Sequence, residues 1–248
     1  MLNVIENSSS MEKNGRDTLL EALTSRRIPD AELLENLGLF VKRQSWCRYL
    51  FMLEIYRQIL DVHGGVMEFG VRWGQNMALF AAFRGIFEPY NYNRKVIGFD
   101  TFAGFPDVHA KDGTASVIRP GGYAVAEGYE QTLETMLSAH ESQSPIPHIR
   151  KFEILKGDVT ETLDAYLDRH PETIIALTYF DLDLYRPTRH CLERIMPLVP
   201  KGGVIAFDEL NCADFPGESL ALKEVAEISK LRIRRLPYSP LTSYIVVE

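Results

Sequence analysis

Between Asp17 and Leu60 the apolar residues recur three and four positions apart: Leu19, Leu20 and Leu23, then Leu33, Leu34 and Leu37, then Leu50, Leu53 and Ile55. That spacing gathers them on one side of a helix, and Pro29 and Gly38 interrupt it. Two or three helices are therefore predicted ahead of the main domain. Residues 1–15, rich in Asn, Ser, Glu and Lys, read as a mobile tail. Downstream, short apolar runs alternate with helical segments. Val66–Phe69 precedes a helix from about Gln75 to Phe87, and Lys95–Phe99 ends in Asp100. Phe152–Leu155 precedes Gly157-Asp158 and a helix to about Arg169. Thr173–Phe180 ends in Asp181, with a helix expected from Pro187, and Gly203–Phe207 ends in Asp208-Glu209.

Five strand-then-helix units imply a parallel sheet with helices on both faces. Thr173–Phe180 and Val204–Phe207 are nearly continuous apolar runs, as strands covered on both sides are. After a helix around Ser219–Lys230, Leu231–Leu236 and Ser243–Val247 read as an antiparallel pair closing the sheet. The predicted class is α/β: a doubly wound, mostly parallel seven-stranded sheet with an antiparallel C-terminal pair and N-terminal helices. Residues 1–60 are expected to form a tail and a helical segment serving as lid or oligomerisation element, and residues 61–248 the sheet domain. Gly104 to Gly128 has no period and several Gly and Pro residues. A long irregular insertion after the second strand suggests a substrate lid.

Composition narrows the function classes. The chain has 248 residues, 46% hydrophobic and 25% charged, with a net charge of −7, which argues against a non-specific nucleic-acid binder. Cys47, Cys191 and Cys212 show no paired spacing, so neither a disulfide framework nor a zinc site is expected. The polar N-terminus lacks the apolar core of a signal peptide, and no apolar run approaches the roughly 20 residues that span a bilayer. A cytoplasmic protein without membrane partners is the expectation.

Ligands of open parallel sheets bind beyond the carboxyl ends of the strands. There, Gly70 and Gly74 bracket a turn into a helix, either as a ligand loop or as a structural turn. The chain contains no G-x-G-x-x-G, which disfavours a nicotinamide-dependent dehydrogenase. Asp100 could accept both hydroxyls of a ribose or cap a helix. Asp158 could meet an adenine amino group or cap the helix that follows it. Asp181-Leu182-Asp183 and Asp208-Glu209 should be neighbours, and carboxylates so gathered repel one another unless a cation or shared proton intervenes. An oxygen-preferring ion such as Mg²⁺ could lower the pKa of a substrate hydroxyl there. Alternatively, Asp183 pairs with Arg186 or Arg189 and no metal binds. His109, in the insertion, is a possible general base or an exposed loop histidine. Trp73 could stack on a cofactor or pack the turn.

In this order the motifs resemble the macrocin O-methyltransferase family, whose members methylate sugar or phenolic hydroxyls in antibiotic biosynthesis. The matching segments are Glu68–Gly74, Ile97–Pro106, Leu155–Asp158, Phe180–Tyr185 and Gly202–Glu209. The resemblance implies an S-adenosylmethionine (SAM) site using Glu68, Gly70, Asp100 and Asp158. Phe69, Gly74, Thr101, Phe102 and Asp181 in the same segments complete the expected cofactor contacts. It also implies a Mg²⁺ site from Asp181, Asp208 and Glu209, although the family usually carries Asp-Asp where this chain has Asp208-Glu209. The expected reaction is methylation of a deoxysugar hydroxyl, nucleotide-linked or already on a natural product, with Asp181 and His109 as catalytic residues. A catechol- or phenol-type O-methyltransferase and a non-catalytic SAM-binding protein are the alternatives. The resemblance further suggests a homo-oligomer.

Overall fold

The computed structural model describes residues 8–248. The tail expectation therefore falls in part on residues 1–7, outside the described residues. For residues 10–15 it is corrected, because α1 (Ser10–Thr24) begins there. Ser9 caps it, its hydroxyl accepting from the Glu12 N–H while the Glu12 carboxylate accepts from the Ser9 N–H. Such a reciprocal box satisfies two otherwise orphaned donors, which outweighs the polar composition. A short α2 (Asp30–Leu33) runs into a 3₁₀ segment, Leu34–Leu39. None of these elements buries a residue.

α3 (Arg43–Arg57) differs: Phe51, Met52, Ile55 and Tyr56 are fully buried. Then follow β1 (Gly65–Phe69), α4 (Gln75–Phe87), β2 (Val96–Asp100), α5 (Tyr129–Ser142), β3 (Phe152–Lys156), α6 (Val159–Arg169), β4 (Ile175–Phe180), α7 (Tyr185–Ile195), β5 (Val204–Phe207), α8 (Gly217–Val225), β6 (Ile233–Arg235) and β7 (Ser243–Val246). α5 was not legible from periodicity: only Leu133, Leu137 and Glu141 face inward, too thin a stripe to stand out. α7 starts two residues before the expected Pro187, which still lies in the first turn, where a missing N–H costs nothing.

The seven strands lie in the order β3-β2-β1-β4-β5-β7-β6, with β7 antiparallel to both of its neighbours. One core layer packs α3, α4 and α5 on one face, and a second packs α6, α7 and α8 on the other. Successive residues of β1 divide between the layers, Val66 to the first and Met67 and Phe69 to the second. In the second layer Phe99, Phe69, Phe180 and Phe207 form a ladder across four strands, with ring centroids 5.1, 4.9 and 5.2 Å apart. Backbone pairing continues one residue past the ladder: Gly70 N–H donates to Phe99 O, Asp181 N–H to Phe69 O and Asp208 N–H to Phe180 O. The residues with chemistry are thereby held at a common depth, just above a rigid aromatic floor.

Candidate active site

A cavity of about 380 Å³ opens beyond the carboxyl ends of the adjacent strands β1 and β4, from which the strand order runs outward in opposite directions. This is the topological switch point, where such sheets bind ligands. Of the residues expected in the site, Gly70, Asp100, Thr101, Asp158, Asp181, Asp208 and Glu209 line it. Glu68, Phe69, Gly74 and Phe102 do not. Phe69 is a rung of the aromatic ladder, and Glu68 lies fully buried beneath the wall, its Oε1 accepting from Asn76 Nδ2 at 3.0 Å. Burial pushes the Glu68 carboxyl well up, and its Oε2 has no partner. Neither has Oδ1 of Asn76, which does line the cavity.

The first loop is built on Asp100. One carboxylate oxygen accepts from the Arg72 N–H at 2.7 Å and the other from the Phe102 N–H at 2.5 Å. Each oxygen retains a further lone pair. Asp158 caps α6, accepting from the Thr160 N–H at 2.8 Å, so its capping role is realised while it lines the cavity. Arg72, Phe102, Tyr123 and Asp183 all hold positive φ, at 48°, 56°, 62° and 61°. Left-handed backbone in non-glycine residues costs about 1–3 kcal/mol each and collects at working sites. Arg72 carries its guanidinium 4.5 Å from the Tyr123 ring, joining the first loop to the 104–128 insertion. That insertion has neither helix nor strand, as its sequence led us to expect.

The acidic strand ends meet an unforeseen partner. Arg48, from α3, donates to Asp181 at 3.2 Å and to Asp208 at 2.8 Å. Tyr179 OH also donates to Asp208, at 2.5 Å. Burial opposes the Arg48 charge, but Tyr179, Asp208 and Asp181 hold the guanidinium's pKa above its usual value. Asp183 does not pair with either expected arginine: it faces Glu209, while Arg186 pairs with Asp107 and Arg189 with Glu193. Glu218, fully buried on α8, accepts from the Leu182 N–H and draws the Glu209 N–H as well. His109 lies outside this cavity, its ring 5.2 Å from that of Tyr185 and its Nδ1 accepting from the Lys111 N–H.

With Arg48 engaging Asp181 and Asp208 and Asp183 turned to Glu209, no three His, Cys, Asp or Glu side chains among the described residues form a metal-ligand group. The donor chemistry nevertheless suits a hard cation. Asp181, Asp183, Asp208 and Glu209 outnumber Arg48 and Arg72, and Glu209 Oε2 is buried without a partner.

Burial, then the charges of Asp208 and Asp181, push the Glu209 carboxyl up to about 7. Burial and neighbouring carboxylates raise Asp181 and Asp183 too. Between the ordinary value of 4.5 and about 7 the folded protein holds more protons at Glu209 than the unfolded chain. Stability without added divalent ions should therefore fall as pH rises through that window. Melting temperatures at stepped pH check this, and Glu209→Gln should flatten the slope; a melting temperature rising over the same range would contradict it.

Sheet order, switch-point cavity and acidic strand ends together define a Rossmann-like methyltransferase. The macrocin-O-methyltransferase (TylF) family matches residues 52–224, and the chain belongs to that family. As such it is a SAM-dependent O-methyltransferase. Among solved structures, the calicheamicin methyltransferase CalS11 is 42% identical, covering 99% of this chain and 96% of that one, with a TM-score of 0.95. An apo structure of CalS11, described as a TDP-rhamnose 3'-O-methyltransferase of calicheamicin biosynthesis, is 40% identical over 97% and 96%, with a TM-score of 0.86. The O-methyltransferase NovP, at 19% identity over 95% and 98% and a TM-score of 0.62, shares the fold. A search of curated proteins finds no match. No helix of the described residues is long and apolar enough to cross a membrane, and the three cysteines are free.

Proposed function

We propose that this chain methylates a hydroxyl of a deoxysugar in the biosynthesis of an antibiotic-like natural product. The observation that carries the reading is the carboxylate cluster at the ends of β4 and β5, opening into the same cavity as Asp100 and the Gly70 loop. Kinship with a sugar O-methyltransferase at 40–42% identity supports it.

Bound SAM supplies an electrophilic methyl on a sulfonium. Asp100 is proposed to take the ribose hydroxyls with its free lone pairs, and Asp158 to face the adenine. The unpaired Oδ1 of Asn76, on the cavity wall, suits the α-ammonium, a donor with no lone pair, and Glu68 is proposed to act behind it by orienting the Asn76 amide. The acceptor hydroxyl must lose a proton as its oxygen bonds the methyl carbon and the carbon–sulfur bond breaks. Asp181, on the cavity wall and fixed by Arg48, is the proposed proton acceptor. The remaining task is alignment, which Phe99 and the Arg72–Tyr123 contact on the cavity wall are proposed to serve. Asp181, Asp208 and Glu209 would hold a Mg²⁺ ion, which would acidify the hydroxyl. His109 is proposed to act on the acceptor's outer part rather than on the transferred methyl, given its place outside the cavity.

Residues 10–39 are proposed as an oligomerisation element between identical chains. They bury nothing, and Met11, Leu20, Leu34 and Leu39 are exposed. The domain boundary is proposed at residues 60–61, with α3 packed into the sheet core although it precedes that boundary.

S-adenosylhomocysteine (SAH) release, measured over nucleotide-sugars, glycosides and catechols with and without EDTA, tests the function. Nucleotide-sugars or glycosides should turn over and catechols should not. Asp181→Ala should lower turnover by about 100-fold or more while SAH still binds. Turnover of catechols alone would favour a phenol-type enzyme, and SAH binding with no turnover of any acceptor a non-catalytic protein. Full activity in EDTA would remove the metal ion from the reaction.

A further inference from the structure

SAM brings one anion into a cavity whose walls would repel it. Asp100, Asp158, Asp181, Asp183, Asp208 and Glu209 line that cavity, and the cations among its lining residues are Arg48 and Arg72. The sulfonium and the α-ammonium of SAM suit such walls. Its α-carboxylate does not, unless a cation meets it, and none of the contacts described above provides for it. Arg48 is committed elsewhere, since it already spans Asp181 and Asp208 at 3.2 and 2.8 Å.

Arg72 is not so engaged. Its Nε is buried without a hydrogen-bond partner, and its guanidinium lies over the Tyr123 ring, 4.5 Å from the centroid. It stands near enough to Asp100 and Asp183 to favour their charged forms, but its side chain forms no ion pair among the described residues. A ring under a guanidinium occupies its face and leaves the N–H edge open. Tyr123 can therefore hold Arg72 while the fork takes a carboxylate bidentately. The place along the wall fits as well. The Arg72 N–H donates to Asp100, the proposed ribose ligand, at 2.7 Å, and Asn76, proposed for the α-ammonium, lines the cavity just past the Gly74 turn. Arg72 holds φ 48° between Gly70 at 92° and Gly74 at 77°. A glycine would take that backbone without strain, so the strained arginine marks its side chain as the part the loop needs.

We propose that Arg72 binds the α-carboxylate of SAM, its guanidinium fork completing the amino-acid end of the cofactor site that Asn76 begins. This assignment rests on SAM as the methyl donor and deepens that reading. One residue then serves both halves of the cofactor, the ribose through its backbone N–H on Asp100 and the amino acid through its side chain. Tyr123 belongs to the 104–128 insertion, so a cofactor held by Arg72 also steadies the wall that an acceptor meets. Arg72 acts in binding, away from the reacting atoms.

Isothermal titration of the full chain tests this with two ligands. SAH is one, and decarboxylated SAH (S-adenosyl-3-thiopropylamine), which keeps the ammonium and lacks only the carboxylate, is the other. The wild type should bind SAH about tenfold or more tightly than the decarboxylated ligand. Arg72→Gln keeps the backbone N–H on Asp100, so only the side chain's part is lost. It should weaken SAH binding by about tenfold to a hundredfold, the weight of a hydrogen bond to a charged group. Binding of the decarboxylated ligand should stay within about twofold of wild type, which closes the cycle on the one interaction. Arg72→Lys, which keeps the charge without the fork, should bind SAH with intermediate affinity. It carries the same comparison if circular dichroism shows the glutamine variant unfolded. Equal loss of both ligands would make Arg72 a structural part of the loop and overturn the proposal. Undiminished SAH affinity in Arg72→Gln, or no preference of the wild type for SAH, would overturn it too. Failure of the wild type to bind either ligand would instead overturn the SAM reading, so the two failures are separable.

Discussion

Arg48→Gln is expected to cost up to about 3 kcal/mol of stability and roughly 100-fold in turnover. The guanidinium bridges Asp181 and Asp208, carboxylates from two different strands that repel each other. The set is only partly buried, Arg48 and Asp181 keeping 31% and 28% of their side-chain surface exposed. About 3 kcal/mol is therefore the upper end of the expected loss, which arises because the two carboxylates are left uncompensated. Glutamine keeps most of the volume and some hydrogen bonding, so the loss reports charge rather than a cavity. Proton uptake by Asp181 should absorb part of the penalty at low pH, so the stability gap between variant and wild type should widen as pH rises. Arg48→Lys should recover part of the stability, since it restores the charge but cannot span both carboxylates with a rigid fork. Urea unfolding at several pH values and steady-state SAH release measure both effects. Wild-type stability and turnover in Arg48→Gln would show the bridge to carry no weight.

Gly70→Ala should be at least as damaging. Gly70 has φ +92°, outside the range that side-chain-bearing residues readily adopt, and a Cβ there would lie 1.9 Å from the Asp181 carbonyl oxygen. Neither atom can yield easily. The Asp181 N–H is tied to Phe69 O, and the Gly70 N–H to Phe99 O. Backbone strain of about 1–3 kcal/mol and overpacking of about 1–3 kcal/mol together predict a loss of roughly 4 kcal/mol. Since the strand ends must splay to admit the methyl group, cofactor binding should go too. Denaturant midpoints and SAH titration check this; a variant that unfolds normally and still binds SAH would show that the close approach is dispensable.

These two positions show what was legible in the sequence and what was not. Gly70 and the aspartates announce themselves because each follows an apolar run, and the end of a buried strand is a place the pattern marks. Phe69 was legible as a residue near the cofactor only in sequence; in space it is part of the floor, because alternation along β1 turns it into the core. Arg48 gave no signal at all. It sits on an amphipathic helix, 133 and 160 positions from the carboxylates it joins, where a lone arginine looks like a solvated face. The Asp183–Glu209 contact was hidden for a similar reason: it depends on the left-handed backbone at Asp183, which the residue type does not dictate. Glu218 is another buried acid that its surroundings in sequence do not flag. The position of His109 was not legible either: the insertion carries it past the cavity to the Tyr185 ring.

The sheet order also bears on how the chain comes to fold during synthesis. β1, β2 and β3 form one contiguous half, but β1 must also pair with β4, whose first residue comes more than a hundred positions later. Until that strand is made, one edge of β1 stays open, and the Gly70 loop lacks the Asp181 backbone against which it closes. Recognition of the cofactor consequently requires synthesis through β4 and the Asp181 backbone that follows it. A nascent chain halted before Ile175 would carry Asp100 and Asp158 yet have no pocket for SAM, so the ligand can select the completed fold but cannot template its first half.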